Sequence, residues 1–201
     1  MARRQSGEGI VYSAIEVKKW AEKIPSAEQA RPACCSRCGV ASRPLGAAVV
    51  LVGHGRRERQ VRGPRDPTGE PEIRTILVRR YRCLHCGGIT TVLPRGLCAR
   101  RHYSASAIGL SLYLFGLRRL SLKETRRRVC PWRVGNDCWT TLPGWVRAIE
   151  QGRLFSRVRP SPSSFSLRNQ AERAATTLCS LSLETDSSLE VRAFQGAALA
   201  A

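Results

Sequence analysis

Two short runs, Cys35-Ser36-Arg37-Cys38-Gly39 and Cys83-Leu84-His85-Cys86-Gly87, have the residue types and spacing that call for chemistry. Each places two thiols three positions apart and then a glycine, so that one tight turn can aim both sulfurs at a tetrahedral ion while the glycine takes the left-handed backbone angle. Two such turns make a four-sulfur site. Soft thiolates favour zinc over the oxygen-seeking magnesium and calcium, although a single iron or an iron–sulfur cluster uses similar ligands. One structural zinc held by Cys35, Cys38, Cys83 and Cys86 is the expected cofactor, with iron as its alternative. A redox dithiol would need one pair in a thioredoxin-like surround, which is not visible. Disulfides are disfavoured by the odd number of cysteines, nine, and by the absence of a signal-peptide run at the N-terminus. Cys34 lacks the two-residue gap to Cys38 and is set aside. His85, between two ligands of one turn, is expected to point outward; His54 and His102 are read as loop residues, and Cys98, Cys130, Cys138 and Cys179 as core thiols.

These pairs need elements to bring them together, because 44 residues separate Cys38 from Cys83, against about 15 to 20 in the usual spacing. Residues 46–53 read as a buried strand. Residues 73–82 read as a second strand running straight into Cys83. The polar, basic, turn-rich stretch 54–69 between them reads as a long hairpin loop. Residues 89–94 give a short third strand closed by Pro94.

From Ser104 the apolar period changes. Ser104 is a plausible N-cap, and Ile108, Leu110, Leu112, Leu114, Phe115 and Leu117 predict a largely buried helix. Ser121 with Glu124 forms a capping box for a short helix through Val129, whose outer face carries Lys123, Arg126, Arg127 and Arg128. Residues 130–137 read as a turn. Trp139, Leu142, Trp145, Val146 and Ile149 predict a third helix starting near Thr141 or Pro143, where proline is tolerated. A long helix, a short basic helix and a third helix in this order are what a helix-turn-helix unit looks like in sequence.

At the ends, a short helix is expected between Ser13 and Lys23, stopped by Pro25 and packed through Trp20, after a basic flexible start. The Ser-, Ala- and Leu-rich tail from Pro160 is expected to be mostly flexible, although part of it, near Arg168–Leu183, could form a helix. The expected organisation is α+β: a basic N-terminal segment (1–32), a zinc ribbon with an extended β-hairpin (33–97), a helix-turn-helix-like region (98–157) and a flexible tail (158–201).

Charge narrows the partners. The chain's 201 residues hold 34 Lys and Arg against 15 Asp and Glu, a formal net charge of +19. Residues 160–201 hold three arginines and four carboxylates, a net of −1, so the first 159 residues carry +20. Arginine predominates there, and its planar fork pairs bidentately with phosphate, which points to a polyanion. Arginine-rich codon usage is the rival explanation, but by itself it would not leave the tail neutral. The longest apolar stretch, Ala105 to Leu117, is too short and too interrupted to span a bilayer. A cytoplasmic chain is expected, nucleoid-associated if it binds DNA.

The run Arg79-Arg80-Tyr81-Arg82-Cys83-x-x-Cys86-Gly87, with Cys35-x-x-Cys38-Gly39 before it and Leu93-Pro94 after, resembles the zinc-binding N-terminal region of bacterial insertion-sequence transposases. The resemblance covers roughly residues 33–155. It implies a zinc module followed by a helix-turn-helix that grips the terminal repeats of the element, strand cleavage belonging to a separate downstream domain with an Asp-Asp-Glu triad. The residues after Phe155 are too few for such a domain, so transposition activity is not carried over.

The expected function is thus zinc-dependent binding of double-stranded DNA, with no enzymatic activity. Arg118, Arg119, Lys123, Arg126, Arg127 and Arg128 would contact phosphates, with Arg133 and Arg147 as candidates for groove contacts. A homodimer is compatible with this reading. The alternative is a zinc-ribbon adaptor for protein partners, with no DNA specificity of its own. RNA binding is disfavoured by the scarcity of aromatics for base stacking. An enzyme is disfavoured because no Ser/His/Asp set, Gly-rich phosphate loop or acidic cluster is present.

Overall fold

The computed structural model describes residues 9–132 and 139–201. It is α+β, with strands β1 (Gly9–Glu16), β2 (Leu51–Gly63), β3 (Glu72–Cys83) and β4 (Ile89–Arg95), and helices α1 (Val17–Glu22), α2 (Ala105–Gly116), α3 (Leu122–Val129), α4 (Thr141–Glu150), α5 (Leu167–Ser180) and α6 (Leu189–Ala200). The strands form one sheet in the order β1-β4-β3-β2. The chain separates into two compact units, Met1–Arg59 with Thr75–Arg95, and Gln60–Arg74 with Gly96–Ala201.

In the first unit, β3 and β4 pair antiparallel, Arg79 opposite Val92 and Arg82 opposite Ile89. That pairing follows from the tight Cys83–Gly88 turn, which leaves the chain no room for a parallel crossover. β1 lies parallel to β4, Gly9 opposite Thr90 and Tyr12 opposite Leu93. The sequence predicts a helix between Ser13 and Lys23 and no strand before it. Instead residues 9–16 are strand, because Ile10, Val11, Tyr12 and Ile15 suit a pleated surface and β4 offers them a partner nearly eighty positions away. Only Val17–Glu22 is helical. Trp20 is 1% exposed and its Nε1 donates to the Leu77 carbonyl of β3 at 2.8 Å, the packing role expected of it. Tyr81 Oη donates to the Ala27 carbonyl at 2.6 Å and Arg79 Nε to the Pro25 carbonyl at 2.7 Å, tying the segment after α1 to the same strand.

The hairpin between the cysteine pairs is present, but its strand and loop are redistributed. Residues 46–50 are not strand: Gly46 has φ +70°, and the Ala47 N–H bonds the Pro44 carbonyl at 3.2 Å. The basic stretch expected as a loop is β2 itself as far as Gly63. Ladder hydrogen bonds use backbone groups and are indifferent to side-chain charge, and residues 53–58 are exposed on both faces, so their arginines stay solvated. The remaining connection is residues 64–71, closed by an Asp66 turn in which Oδ1 accepts from the Thr68 N–H at 3.1 Å.

The second unit is built around α2. Ser104 caps it, accepting from the Ala107 N–H at 3.1 Å, and every residue from Ala105 to Gly116 except Ser106 is buried. A helix apolar all round must be enclosed on several sides. α5 and α6 enclose it. The tail expected to be flexible is therefore ordered from Leu167 to Ala200 apart from a short connection, with Ser166 and Ser188 as N-caps. Its apolar faces are made largely of small residues, Ala171, Ala174 and Ala175 beside Leu178 in α5 and Ala193, Gly196 and Ala197 beside Phe194 in α6, which read in sequence as low complexity yet allow close helix approach. Arg168 of α5 donates to the Phe115 and Leu120 carbonyls and stacks 4.2 Å over the Phe115 ring, closing the carbonyl end of α2. The capping box of α3 is present: Ser121 Oγ accepts from the Glu124 N–H at 3.2 Å and Glu124 Oε2 accepts from the Ser121 N–H at 2.8 Å. α4 begins at Thr141 with Pro143 in its first turn, as expected.

Candidate metal centre

The two cysteine turns have the same internal wiring. The Cys35 N–H bonds the Val40 carbonyl at 2.9 Å and the Cys83 N–H bonds the Gly88 carbonyl at 2.9 Å, while the Gly39 and Gly87 N–H groups return to the Cys35 and Cys83 carbonyls at 3.0 and 2.8 Å. Gly39 and Gly87 sit at φ +72° and +70°, where a side chain would strain the backbone. Ser36 in the first turn meets Thr90 of β4, their hydroxyl oxygens 2.8 Å apart, and the Leu84 N–H in the second turn donates to the Val50 carbonyl just before β2 at 2.9 Å.

This framework brings Cys35, Cys38, Cys83 and Cys86 together, their four Sγ atoms all within 4.8 Å of one another. Cys35 and Cys86 are 3.8 Å apart at sulfur, as are Cys38 and Cys83. A tetrahedral zinc with sulfur at about 2.3 Å requires sulfur–sulfur edges of about 3.8 Å. The donor set and its spacing are therefore compatible with one zinc ion. The Arg37 N–H points to Cys35 Sγ and the Gly88 N–H to Cys86 Sγ, each at 3.4 Å, the kind of donor that steadies thiolate charge. Cys34 is exposed, and it and His85 lie outside the set.

Without a cation, four thiols this close cannot all ionise. Burial opposes ionisation of Cys35, but the backbone N–H groups of Cys38 and Arg37 and the neighbouring thiols of Cys38 and Cys86 outweigh it and bring its pKa down to about 7. Cys38 moves the other way, up to about 12: the Val40 amide favours its thiolate, but burial and sharing of its proton with Cys86, Cys35 and Cys83 prevail. A metal must displace these protons, which makes its binding weaken as pH falls.

The cations expected to face DNA lie elsewhere, on the second unit. Arg118 and Arg119 are exposed in the turn after α2, with Arg119 at φ +56°. Lys123, Arg127 and Arg128 are exposed on α3 and Arg126 is half-buried, while Arg147 is exposed on α4. Several of these are engaged within the fold: Arg119 pairs with Glu172 at 3.7 Å, Arg126 donates to the Trp132 carbonyl at 3.4 Å, and Arg128 reaches both Glu190 at 3.2 Å and the Pro67 carbonyl at 3.1 Å. Arg133 lies outside the described residues, as does most of the turn expected over 130–137. Reading 54–69 as a loop passed over Arg56 and Arg57, which stand exposed on β2. Their signal was available in the alternation of β3, which needs an equally long partner.

Among the described residues, no helix is long and apolar enough to cross a membrane. No curated protein and no solved structure matches the chain. Residues 47–139, which include Cys83 and Cys86 but not Cys35 or Cys38, are similar to a family described as a domain of unknown function, DUF6431.

Proposed function

We propose that this chain is a zinc-dependent, double-stranded DNA-binding protein in which the metal shapes the first unit and the helical unit supplies the contact surface. The observation that carries the reading is the density of cations at α3. Arg118, Arg119, Lys123, Arg126, Arg127 and Arg128 fall within eleven consecutive positions, and the one carboxylate among them, Glu124, is engaged by Ser121, whose hydrogen bonds also lower its pKa. Part of this charge serves the fold, since arginines near the last carbonyls of α3 complement its dipole. Lys123 and Arg127 are exposed on the same helix. The likeness of the cysteine motif to transposase DNA-gripping modules supports the same reading. A zinc closed by four thiolates leaves no coordination position for a substrate, so binding rather than catalysis is the role we assign. The adaptor alternative would leave the cluster merely solvated.

Salt dependence separates the two. With about six phosphate contacts, affinity for duplex DNA should fall about a thousandfold between about 50 and 200 mM salt. Replacing Arg126, Arg127 and Arg128 together by glutamine should make log K against log salt shallower by up to about 3, and weaken binding on every sequence alike. Titration of a labelled duplex by fluorescence anisotropy reads both. A flat salt response, or a triple variant that binds like the parent, would sink the DNA reading and favour the adaptor.

A further inference from the structure

The second unit contains a pocket of about 280 Å³ at the start of α4, apart from the metal centre, whose walls combine guanidinium groups with aromatic rings. Arg62 and Arg126 supply the charge, and no carboxylate lines it among the described residues. Arg62 lies 5.9 Å over the Trp132 ring, its Nη2 reaches Gln60 Oε1 at 3.0 Å, and its Nε is buried without a hydrogen-bond partner. Arg126 donates through Nη2 to the Trp132 carbonyl at 3.4 Å.

The aromatic walls are unequal. Tyr103 and Trp139 are 7% and 6% exposed and are fixed edge-on against Trp145, with centroids 5.0 and 5.4 Å from it. Burial, reinforced by a hydrogen bond with Cys130, raises the pKa of the Tyr103 phenol and keeps it neutral. Trp132 is 52% exposed, a large apolar surface left in water beside two cations. Thr140 stands at the start of α4 without using its side chain to cap the helix, and lines the same pocket. A packed core offers no reason for an indole half in water beneath an arginine, whereas a flat aromatic group carrying an anion suits these walls: the ring stacks on the indole, and the anion meets the charges of Arg62 and Arg126.

We propose that this pocket receives a single nucleotide, with the base stacked on Trp132 and the phosphate held by Arg62 and Arg126. The inference rests on the DNA-binding reading for the source of the nucleotide, a strand end or an unpaired position. Arg126 is common to this site and the α3 cluster; the rest of that cluster would hold duplex backbone, whereas this site takes a base out of the stack. Its preference is for single strands and 5′-nucleotides, with stacking sequence-tolerant because every base has a π face.

The test uses the full-length, metal-loaded protein. Tryptophan emission is followed during titration with deoxyadenosine 5′-monophosphate, deoxyadenosine, inorganic phosphate and a short 5′-phosphorylated single-stranded oligonucleotide, with duplex binding measured in parallel. The nucleotide and the oligonucleotide should quench emission, with deoxyadenosine and phosphate each at least about tenfold weaker. Trp132→Ala should abolish most of the quench and weaken oligonucleotide binding about tenfold. Arg62→Lys, which keeps the charge but loses the plane, should weaken it severalfold. Arg173→Gln, which removes one positive charge from α5, should leave both unchanged. Melting curves verify that each variant is folded, and exposure makes Trp132→Ala the safest of them. Quenching without duplex affinity retains the pocket, with free nucleotide as its source, and rejects the wider reading. Duplex affinity with no effect of nucleotide on emission, or with oligonucleotide binding unmoved by Trp132→Ala and Arg62→Lys, overturns the pocket and leaves the wider reading standing. Equal quenching by phosphate alone reduces the site to an anion site and also overturns it.

Discussion

Replacing Cys83 by serine should empty the metal centre and unfold the unit that surrounds it. Cys83 is the last residue of β3, 1% exposed, and its Sγ lies 3.8 Å from that of Cys38. A hydroxyl cannot take the place of a thiolate on a soft ion, and the three remaining sulfurs would hold the metal far less tightly. Structural zinc contributes about 10–16 kcal/mol of apparent binding free energy in small zinc-finger peptides. The large fully buried side chains of this unit are few, chiefly Trp20, Leu51, Tyr81 and Leu93, so little else can offset such a loss. Purified wild type should contain about one equivalent of zinc and Cys83→Ser less than about a fifth of one. The transition of the first unit should fall by more than about 10 °C or disappear, since each kcal/mol moves a small domain's midpoint by about 4–8 °C. Cys34→Ser should change neither quantity. Acidification should release the metal, because protons returning to the four sulfurs compete with it; the affinity of the metal-free protein should climb with pH, most steeply below about 7, above which Cys35 is already ionised and no longer holds a proton against the metal. Wild type with under about half an equivalent of zinc, or Cys34→Ser losing metal as completely as Cys83→Ser, would refute the ligand assignment.

The second large effect belongs to glycines packed between helices. A Cβ on Gly116 at the end of α2 would meet backbone atoms of α5, the Glu172 Cα at 2.6 Å and the Ala171 carbonyl carbon at 2.8 Å. Backbone cannot rotate aside as a side chain does, so α5 must move off and uncover Ala171, Ala174 and Ala175, now fully buried. Gly116→Leu should cost about 3 kcal/mol or more, at or beyond the upper end of ordinary overpacking. Gly144 in α4 is the counterpart, since a Cβ there meets nothing within 4 Å. Gly144→Ala should therefore stabilise, by up to about 1 kcal/mol through helix propensity, and Gly116→Ala should destabilise despite the same propensity gain. Urea unfolding of the two alanine variants gives the signs directly. Stabilisation by Gly116→Ala would mean that α5 does not lie against α2.

How legible each part was depended on how local its cause is. The clustering of Cys35, Cys38, Cys83 and Cys86 could be read because a C-x-x-C-G turn has fixed internal geometry, and the same spacing chose Cys35 over Cys34 as the fourth member of the cluster. The starts of α2, α3 and α4 could be read because Ser104, the Ser121–Glu124 box and Pro143 act within one helical turn. β1 could not: its four or five apolar residues are equally consistent with a short helix, and what decides is a parallel partner at Thr90–Leu93. The length of β2 was hidden because its arginines look like loop, although an edge strand with charged side chains on both faces is a stable arrangement. α6 was not legible at all, and α5 only as a possible helix near Arg168–Leu183, for a third reason. Alanine and glycine give weak apolar contrast, yet their small size is what lets them pack against α2.

The enclosure of α2 by α5 and α6, and the derivation of the metal ligands from two remote turns, bear on how the chain could be divided. The region similar to the domain of unknown function ends at residue 139 and begins at residue 47. Excised at those limits, it would keep half the sulfur donors and would bare the most apolar helix of the protein along the sides that α5 and α6 now cover. It is a unit of likeness rather than of folding, and a fragment worth expressing would have to reach back past Cys35 and forward through α6.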